Sequence, residues 1–165
     1  MADLFDSGID VRRYANLLAA LHGLFRHWER GHQPFLEKMA IDGRWNYLER
    51  STLLAQDRAR LGTDARLRAT TASPAYPSGE AANWGMLYVI EGSVLGGRLI
   101  TSRLRQVLPQ HDAFAYFGLG ADDGSRWPRF QSVLDEALTD ELDVNQAILG
   151  AQAFFVAFRN AVAEV

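Results

Sequence analysis

The residues best placed to do chemistry lie in an apolar segment in the middle of the chain, residues 84–100. It carries one carboxylate, Glu91, and four glycines, Gly85, Gly92, Gly96 and Gly97. The large apolar residues repeat at helical spacing, and so many glycines would leave a strand little side chain to pack, so a helix is predicted. Gly92 and Gly96 are four residues apart and therefore expose backbone on one helix face. Either a neighbouring helix or a ligand should approach that backbone closely.

The ionisable residues form no familiar catalytic set. Glu91 inside an apolar helix must form an ion pair, accept hydrogen bonds or take up a proton, and we favour a structural role over one at a reactive site. The chain has no Walker loop, Rossmann fingerprint, HExxH or GxSxG motif. A di-iron bundle site, which needs paired Glu-x-x-His segments, is not favoured. The four histidines are His22, His27, His32 and His111. For each of them, a surface or hydrogen-bonded role is favoured over metal ligation.

Composition limits the class of protein. With 165 residues, 48% hydrophobic and 22% charged, the chain has the profile of one soluble globular domain spanning 1–165. A net charge of −3 argues against nucleic acid or an anionic membrane as a partner. The absence of cysteine excludes disulfides, thiolate metal sites and cysteine nucleophiles. The first ten residues lack the basic and apolar regions of a secretory signal, so a cytoplasmic location is expected.

Apolar periodicity predicts helices throughout and no convincing strand pair, so the expected fold class is all-α. Asp10 can cap a first helix that runs from Val11 to about Arg30 and buries one apolar stripe. A second helix is predicted over residues 43–61, with Gly62 as its stop.

Turn residues and apolar spacing set the remaining elements. A loop is predicted over 63–77. The glycine-bearing helix begins after it, with Ser78 as its cap, and ends before Pro109. An irregular stretch over 111–125, a short helix over 127–138 and a last helix from about Glu141 follow. The expected core contacts of the last helix are Ile148, Phe155, Phe158 and Val162.

The decapeptide YVIEGSVLGG, residues 88–97, resembles the distal-helix motif of haem oxygenases, and especially of the bacterial biliverdin-producing branch. Three further features of that family occur in the same order. A DxxxxLG ending lies at 57–62, a D-G-x-x-W segment at 123–127, and an AxxGAxxxFxxF-type helix begins at Ala147. The resemblance extends over nearly all of residues 10–165.

The resemblance implies a haem oxygenase-like helical domain that cleaves haem to biliverdin, carbon monoxide and iron. Haem would be both substrate and cofactor, and the protein would supply orientation and electrostatics. It further implies dioxygen and an external electron donor, a reductase or a ferredoxin-type protein. Some bacterial relatives supply chromophore to a phytochrome and others acquire iron, and the resemblance does not choose between them.

Site residues follow from the resemblance by position. Gly92, Ser93 and Gly96 would form the catalytic wall over one haem face, and Gly97 would extend it. Tyr88 matches a tyrosine that lies toward the haem propionates, and Arg159 is a candidate propionate partner because a guanidinium suits a carboxylate. The alternative without a ligand is a contact between small residues of two helices.

One family feature has no counterpart in this sequence. Family members begin with an additional helix that carries the proximal histidine ligand of the haem iron, whereas the match here begins at about Asp10 and no histidine precedes His22. The reading frame could be longer, or His22, His27 or His32 could substitute. Otherwise the chain is a non-catalytic haem-binding, bilin-binding or protein-interaction module. The iron ligand is therefore unknown from sequence, and weak haem binding is expected.

Overall fold

A computed structural model of the chain describes residues 9–62, 74–120 and 123–163. Within these ranges the secondary structure is helical, without a strand, which confirms the all-α prediction. The elements are α1 Val11–Gly31, α2 Gln33–Ile41, α3 Arg50–Leu61, α4 Glu80–Gly92, a 3₁₀ turn Ser93–Gly96, α5 Gly97–Val107, α6 Ala115–Gly118, α7 Arg126–Ala137 and α8 Glu141–Ala163. No helix among the residues described has the length and apolar character needed to cross a membrane.

Helix α1 follows the prediction closely. The Asp10 carboxylate accepts a hydrogen bond of 2.8 Å from Arg13 N and so satisfies one free amide of the first turn. Its apolar stripe is buried, as the 3.6-residue period requires: Tyr14, Leu17, Leu18, Leu21, Leu24, Phe25 and Trp28. The helix contacts both α3 and α8, so its stripe lies at the centre of the core.

The predicted second helix is wrong at its start and right at its end. Gly62 adopts a left-handed conformation, with φ of +62°, and ends α3 as predicted. Residues 43–49, however, are not helical, and a separate helix, α2, precedes them. Two aromatic side chains of that stretch bind buried carboxylates, Trp45 that of Glu91 and Tyr47 that of Glu29. These tertiary contacts outweigh local helix propensity.

The glycine-bearing helix is bent rather than continuous. Helix α4 begins at Glu80 with Gly79, not Ser78, as its cap, and the chain is helical as far as Val107 with the 3₁₀ turn inserted. We call this turn, Ser93–Gly96, the bend. The predicted irregular stretch contains the short helix α6, which was not foreseen. Residues 63–73 of the predicted loop lie outside the described residues.

Helices α4 and α8 cross at their smallest residues. A Cβ on Gly85 would overlap the carbonyl oxygen of Ala147, and a Cβ on Gly150 would overlap that of Ala82. Helix α8 begins at Glu141 as predicted. The prediction that Ile148 and Phe155 lie in the core is wrong, because Ile148 is 47% and Phe155 is 57% exposed. Phe158 and Val162 do pack against the core. The buried residues of α8 are instead Ala147, Gly150, Phe154, Ala157 and Ala161.

Candidate functional site

The bend gives the central helix its special geometry. The Ser93 hydroxyl donates a hydrogen bond of 2.7 Å to the carbonyl oxygen of Ile90, three residues earlier, a local bond that competes with the helical ladder. Four residues of tighter 3₁₀ winding then separate α4 from α5. Leu95 is 62% exposed and Leu99 is 78% exposed. The outer side of the bend therefore presents backbone and apolar side chains together.

The three glycines of the motif have different surroundings. A Cβ on Gly97 would overlap the carbonyl oxygen of Phe117, so α6 requires glycine there. A Cβ on Gly92 would lie 3.3 Å from the Trp127 ring, a tight but tolerable contact. A Cβ on Gly96 would meet no atom within 4 Å among the described residues. A neighbouring helix therefore accounts for Gly97, whereas the Gly96 backbone is open to a ligand.

Glu91 is the acceptor of a buried network. Its carboxylate is 2% exposed and accepts from Trp45 Nε1 at 3.1 Å and from Arg126 Nε and Nη2 at 3.0 Å each. Arg50 Nη2 lies 3.1 Å away as an ion pair that lacks hydrogen-bond alignment. Two guanidinium groups and an indole thus surround one carboxylate, and α3, α4 and α7 meet there. The arrangement agrees with the structural role favoured for Glu91.

Trp127 brings the outer residues of α4 and α7 together. Its ring lies beside Gly92 and 5.3 Å from the Tyr88 ring, centroid to centroid. Tyr88, 44% exposed, lies one helical turn before Gly92, so the two share a face. Arg159 is exposed on α8, directly after Phe158. The structure therefore places Tyr88 and Gly92 against the same Trp127 ring. Among the described residues it shows no contact between Arg159 and the bend.

A small cavity of about 30 Å³ lies behind the bend. Its lining is Arg50, Ser93, Val94, Gly97, Ile100, Tyr116, Phe117 and Phe158. Tyr116 is buried, and burial raises the pKa of its hydroxyl, although the Arg50 charge and a hydrogen bond with Ser93 act in the opposite direction. Phe158, which lines the cavity, lies on the same side of α8 as the exposed side chains of Phe155 and Ile148.

Sequence reasoning missed three residues of this region: Arg50, Tyr116 and Arg126. Asp57, which appeared only as part of a family-like segment, has a clear structural task. Its fully buried carboxylate accepts from Ala115 N at 2.8 Å and Tyr116 N at 2.9 Å, and so caps α6. Burial raises the pKa of this carboxyl, while the two backbone hydrogen bonds oppose the shift. Arg126 stands next to Trp127 of the D-G-x-x-W segment, which was its one sequence signal.

The histidines contact other parts of the molecule. His22 Nδ1 lies 3.1 Å from Arg58 Nη1, and burial, followed by the charges of Arg58 and Arg26, lowers the pKa of its imidazole. His32 stacks on Trp28, with ring centroids 4.8 Å apart, and burial lowers the pKa of this imidazole as well. His27 lies against Tyr76, and the His111 amide donates to the Leu108 carbonyl oxygen.

None of these histidine contacts involves residues 92–97. Glu29 and His32 do have Glu-x-x-His spacing, but the Glu29 carboxylate accepts from the Arg50 and Ser51 amides at the start of α3. In the described ranges no group of three or more histidine, aspartate or glutamate side chains could hold a metal ion.

The fold and the bend define an all-α protein whose central helix turns its glycine backbone toward an open apolar surface. The chain is 39% identical over 164 residues to a heme oxygenase of Xanthomonas campestris pv. campestris (strain 8004), a match that covers 99% of this chain and 96% of that protein. The chain belongs to the haem oxygenase family. No family model and no solved structure matches it.

The described residues fit haem on one side. The open Gly96 backbone and the exposed Leu95 and Leu99 side chains of the same segment offer an apolar surface suited to a porphyrin face. The cavity behind the bend, at about 30 Å³, is far below the several hundred Å³ that a buried ligand of this size occupies. The donor set also lacks an imidazole at the bend among these residues. A porphyrin would therefore lie on the bend rather than inside the described fold.

Proposed function

We propose that the chain is a haem oxygenase that cleaves haem to biliverdin, carbon monoxide and iron. Haem is the substrate, dioxygen is the oxidant, and a separate reductase or ferredoxin-type protein supplies the electrons. The excised meso carbon leaves as carbon monoxide, the two carbons that flanked it take up oxygen, and the remaining oxygen leaves as water. The near full-length similarity to a heme oxygenase carries the proposal.

The chain's own part in this reaction is steric and electrostatic. Gly96, where the surroundings are open, lets backbone approach the porphyrin more closely than any side chain would permit. Gly92 and Gly97 allow Trp127 and α6 to pack against the helix, and this packing fixes the bend. Ser93 places a hydroxyl at the first residue of the bend. Together these residues form a wall that would direct attack toward one meso carbon.

We assign the haem propionates to Tyr88 and Arg159. Tyr88 is partly exposed and held by Trp127, so its hydroxyl can reach a carboxylate at the surface. Arg159 is exposed and follows Phe158 in the chain. Its planar guanidinium can bind a carboxylate through two parallel hydrogen bonds. The iron ligand stays unassigned.

Under this proposal the reaction takes place in the cytoplasm, the location expected from the first ten residues. A phytochrome is one outlet for the biliverdin, and release of iron is the other use of the reaction. A second candidate function is a non-catalytic haem-binding, bilin-binding or protein-interaction module. The contacts of the four histidines favour that candidate, because they lie away from the bend.

Hemin titration and bilin formation test the proposal. We expect the purified chain to bind hemin weakly and to form biliverdin slowly with ascorbate or a reductase. Gly96→Leu should keep its fold, because its Cβ meets open space, yet lose at least about ten-fold in hemin affinity, since a bulky side chain displaces the porphyrin. Gly23→Leu is the matched control, because Gly23 is also a helical glycine with open surroundings, on α1.

Three outcomes decide between the alternatives. Equal hemin binding by Gly96→Leu and the unaltered chain would show that the bend is not the porphyrin wall. Hemin binding without any bilin would favour the non-catalytic module. Tight binding with the spectrum of a histidine-ligated haem would assign the ligand to a histidine, and substitution of His22, His27 and His32 in turn would identify it.

A further inference from the structure

Two contacts join the short helix α6 to the bend. The Tyr116 hydroxyl is hydrogen-bonded to the Ser93 side chain, the first residue of the bend. Both side chains also line the cavity behind the bend. The Phe117 carbonyl oxygen packs against Gly97, the residue that follows the bend. Helix α6 therefore contacts both the first residue of the bend and the residue that follows the bend.

Helix α6 needs support of its own, because four residues are too few to form a stable helix alone. Asp57 on α3 provides it, since its fully buried carboxylate accepts from the first two amides of α6. A continuous chain of hydrogen bonds thus runs from Asp57 through α6 and Tyr116 to Ser93.

We propose that Asp57 and Tyr116 are positioning residues that fix where the bend stands relative to the haem face. Asp57 holds α6 in its position, and Tyr116 links α6 to Ser93. The inference rests on the proposed haem cleavage, because the place of the bend decides which meso carbon the Gly96 backbone leaves open. Neither residue needs to touch the haem.

The chain contains a matched control for the tyrosine. Tyr14 is also fully buried, packs on Phe117 with ring centroids 6.3 Å apart, and donates a hydrogen bond of 2.6 Å to the Ala113 carbonyl oxygen. Its hydroxyl binds the loop before α6 and does not bind the bend. Tyr116→Phe and Tyr14→Phe each remove one buried hydroxyl hydrogen bond, so a general loss of stability should affect both variants alike.

The first measurement is amide hydrogen exchange at residues 93–97 in the haem-free protein. We expect exchange to be about five-fold faster in Tyr116→Phe, the size of effect that one lost hydrogen bond gives, and unchanged in Tyr14→Phe. Equal exchange in Tyr116→Phe and the unaltered chain, or an equal rise in both variants, overturns the proposal. Asp57→Asn should speed exchange in both α6 and the bend; a rise in α6 alone would break the proposed link.

The second measurement is the ratio of biliverdin isomers formed from hemin. Tyr116→Phe should shift this ratio about five-fold while Tyr14→Phe leaves it unchanged. An unchanged ratio in Tyr116→Phe overturns the positioning role even when bilin forms at the normal rate. If the unaltered chain forms no bilin, the proposed function fails, and hydrogen exchange alone decides whether Tyr116 holds the bend.

Discussion

Two glycine sites on the central helix differ in what surrounds them. At Gly85, backbone of α8 comes so close that a methyl group has no room, and Gly150 of α8 is held in the same way by Ala82. At Gly96, one bend further along, a methyl group would meet open space. The first site uses glycine to bring two helices together. The second exposes backbone that no described part of the chain covers.

The difference shows why a glycine-rich apolar segment is ambiguous as a functional signal. A helix-interior glycine costs about 1 kcal/mol relative to alanine, a cost that a close backbone contact can offset. Gly85 and Gly97 have that contact within the protein, with Ala147 and Phe117. Gly96 has none, and haem is the partner that family membership suggests. A ligand site is therefore best sought where the glycine is exposed rather than where it is buried.

The largest effect should come from filling the helix crossing. Gly85→Ala should lower the free energy of unfolding by about 4 kcal/mol, more than usual overpacking, because its obstacle is the backbone of Ala147 rather than a side chain that could move. Gly23→Ala, in a helix with open surroundings, should raise stability by up to about 1 kcal/mol. Urea unfolding of both variants measures the difference. Similar stabilities would remove the distinction between the packed and the open glycines.

The next effect concerns Glu91, which ties α4 to α3 and α7 just before the bend. Glu91→Gln should cost about 3 kcal/mol, because it leaves the guanidinium groups of Arg50 and Arg126 buried near each other without a counter-charge. The amide oxygen can still accept from Trp45, which limits the loss. Thermal and urea unfolding give the change. If Arg126→Gln restores stability to Glu91→Gln, the uncompensated charge is the cause; a further loss would show that the hydrogen bonds matter more.

The elements that sequence predicted well are those whose local pattern and tertiary role agree. Helix α1 has a cap and a single apolar stripe, and both appear in the structure. Residues 43–49 and α6 were missed because their conformations depend on distant carboxylates, those of Glu91 and Asp57. No local pattern encodes a partner many residues away.

Helix α8 shows that apolar spacing alone also mispredicts which residues are buried. Ile148 and Phe155 are large and apolar, so the pattern placed them in the core, yet they are exposed. The crossing with α4 selects the small residues Ala147 and Gly150 for the buried face, because only they allow the backbones to meet. The motif at residues 88–97 was found from sequence by resemblance, whereas the residues that hold it in place came only from the structure.

The smallest effect tests the histidines, which lie apart from both glycine sites. Arg58 donates to His22 Nδ1, so the neutral imidazole is the form that fits, and burial, Arg58 and Arg26 together place its pKa below 6.5 in the folded chain. The contribution of His22 to stability is therefore complete above the unfolded pKa of about 6.5 and is lost as the pH falls through the lowered folded value. His22→Gln, whose carbonyl can still accept from Arg58, should flatten the fall in stability below about pH 6.5. Arg58→Gln should flatten it less, because burial, the larger cause, remains. Urea unfolding across this pH range measures the slopes, and an unchanged slope in His22→Gln would contradict the assignment.

Hemin affinity measured on the same variant should stay at the level of the unaltered chain. A loss of affinity would instead make His22 a haem ligand and place α1 on the open side of the bend.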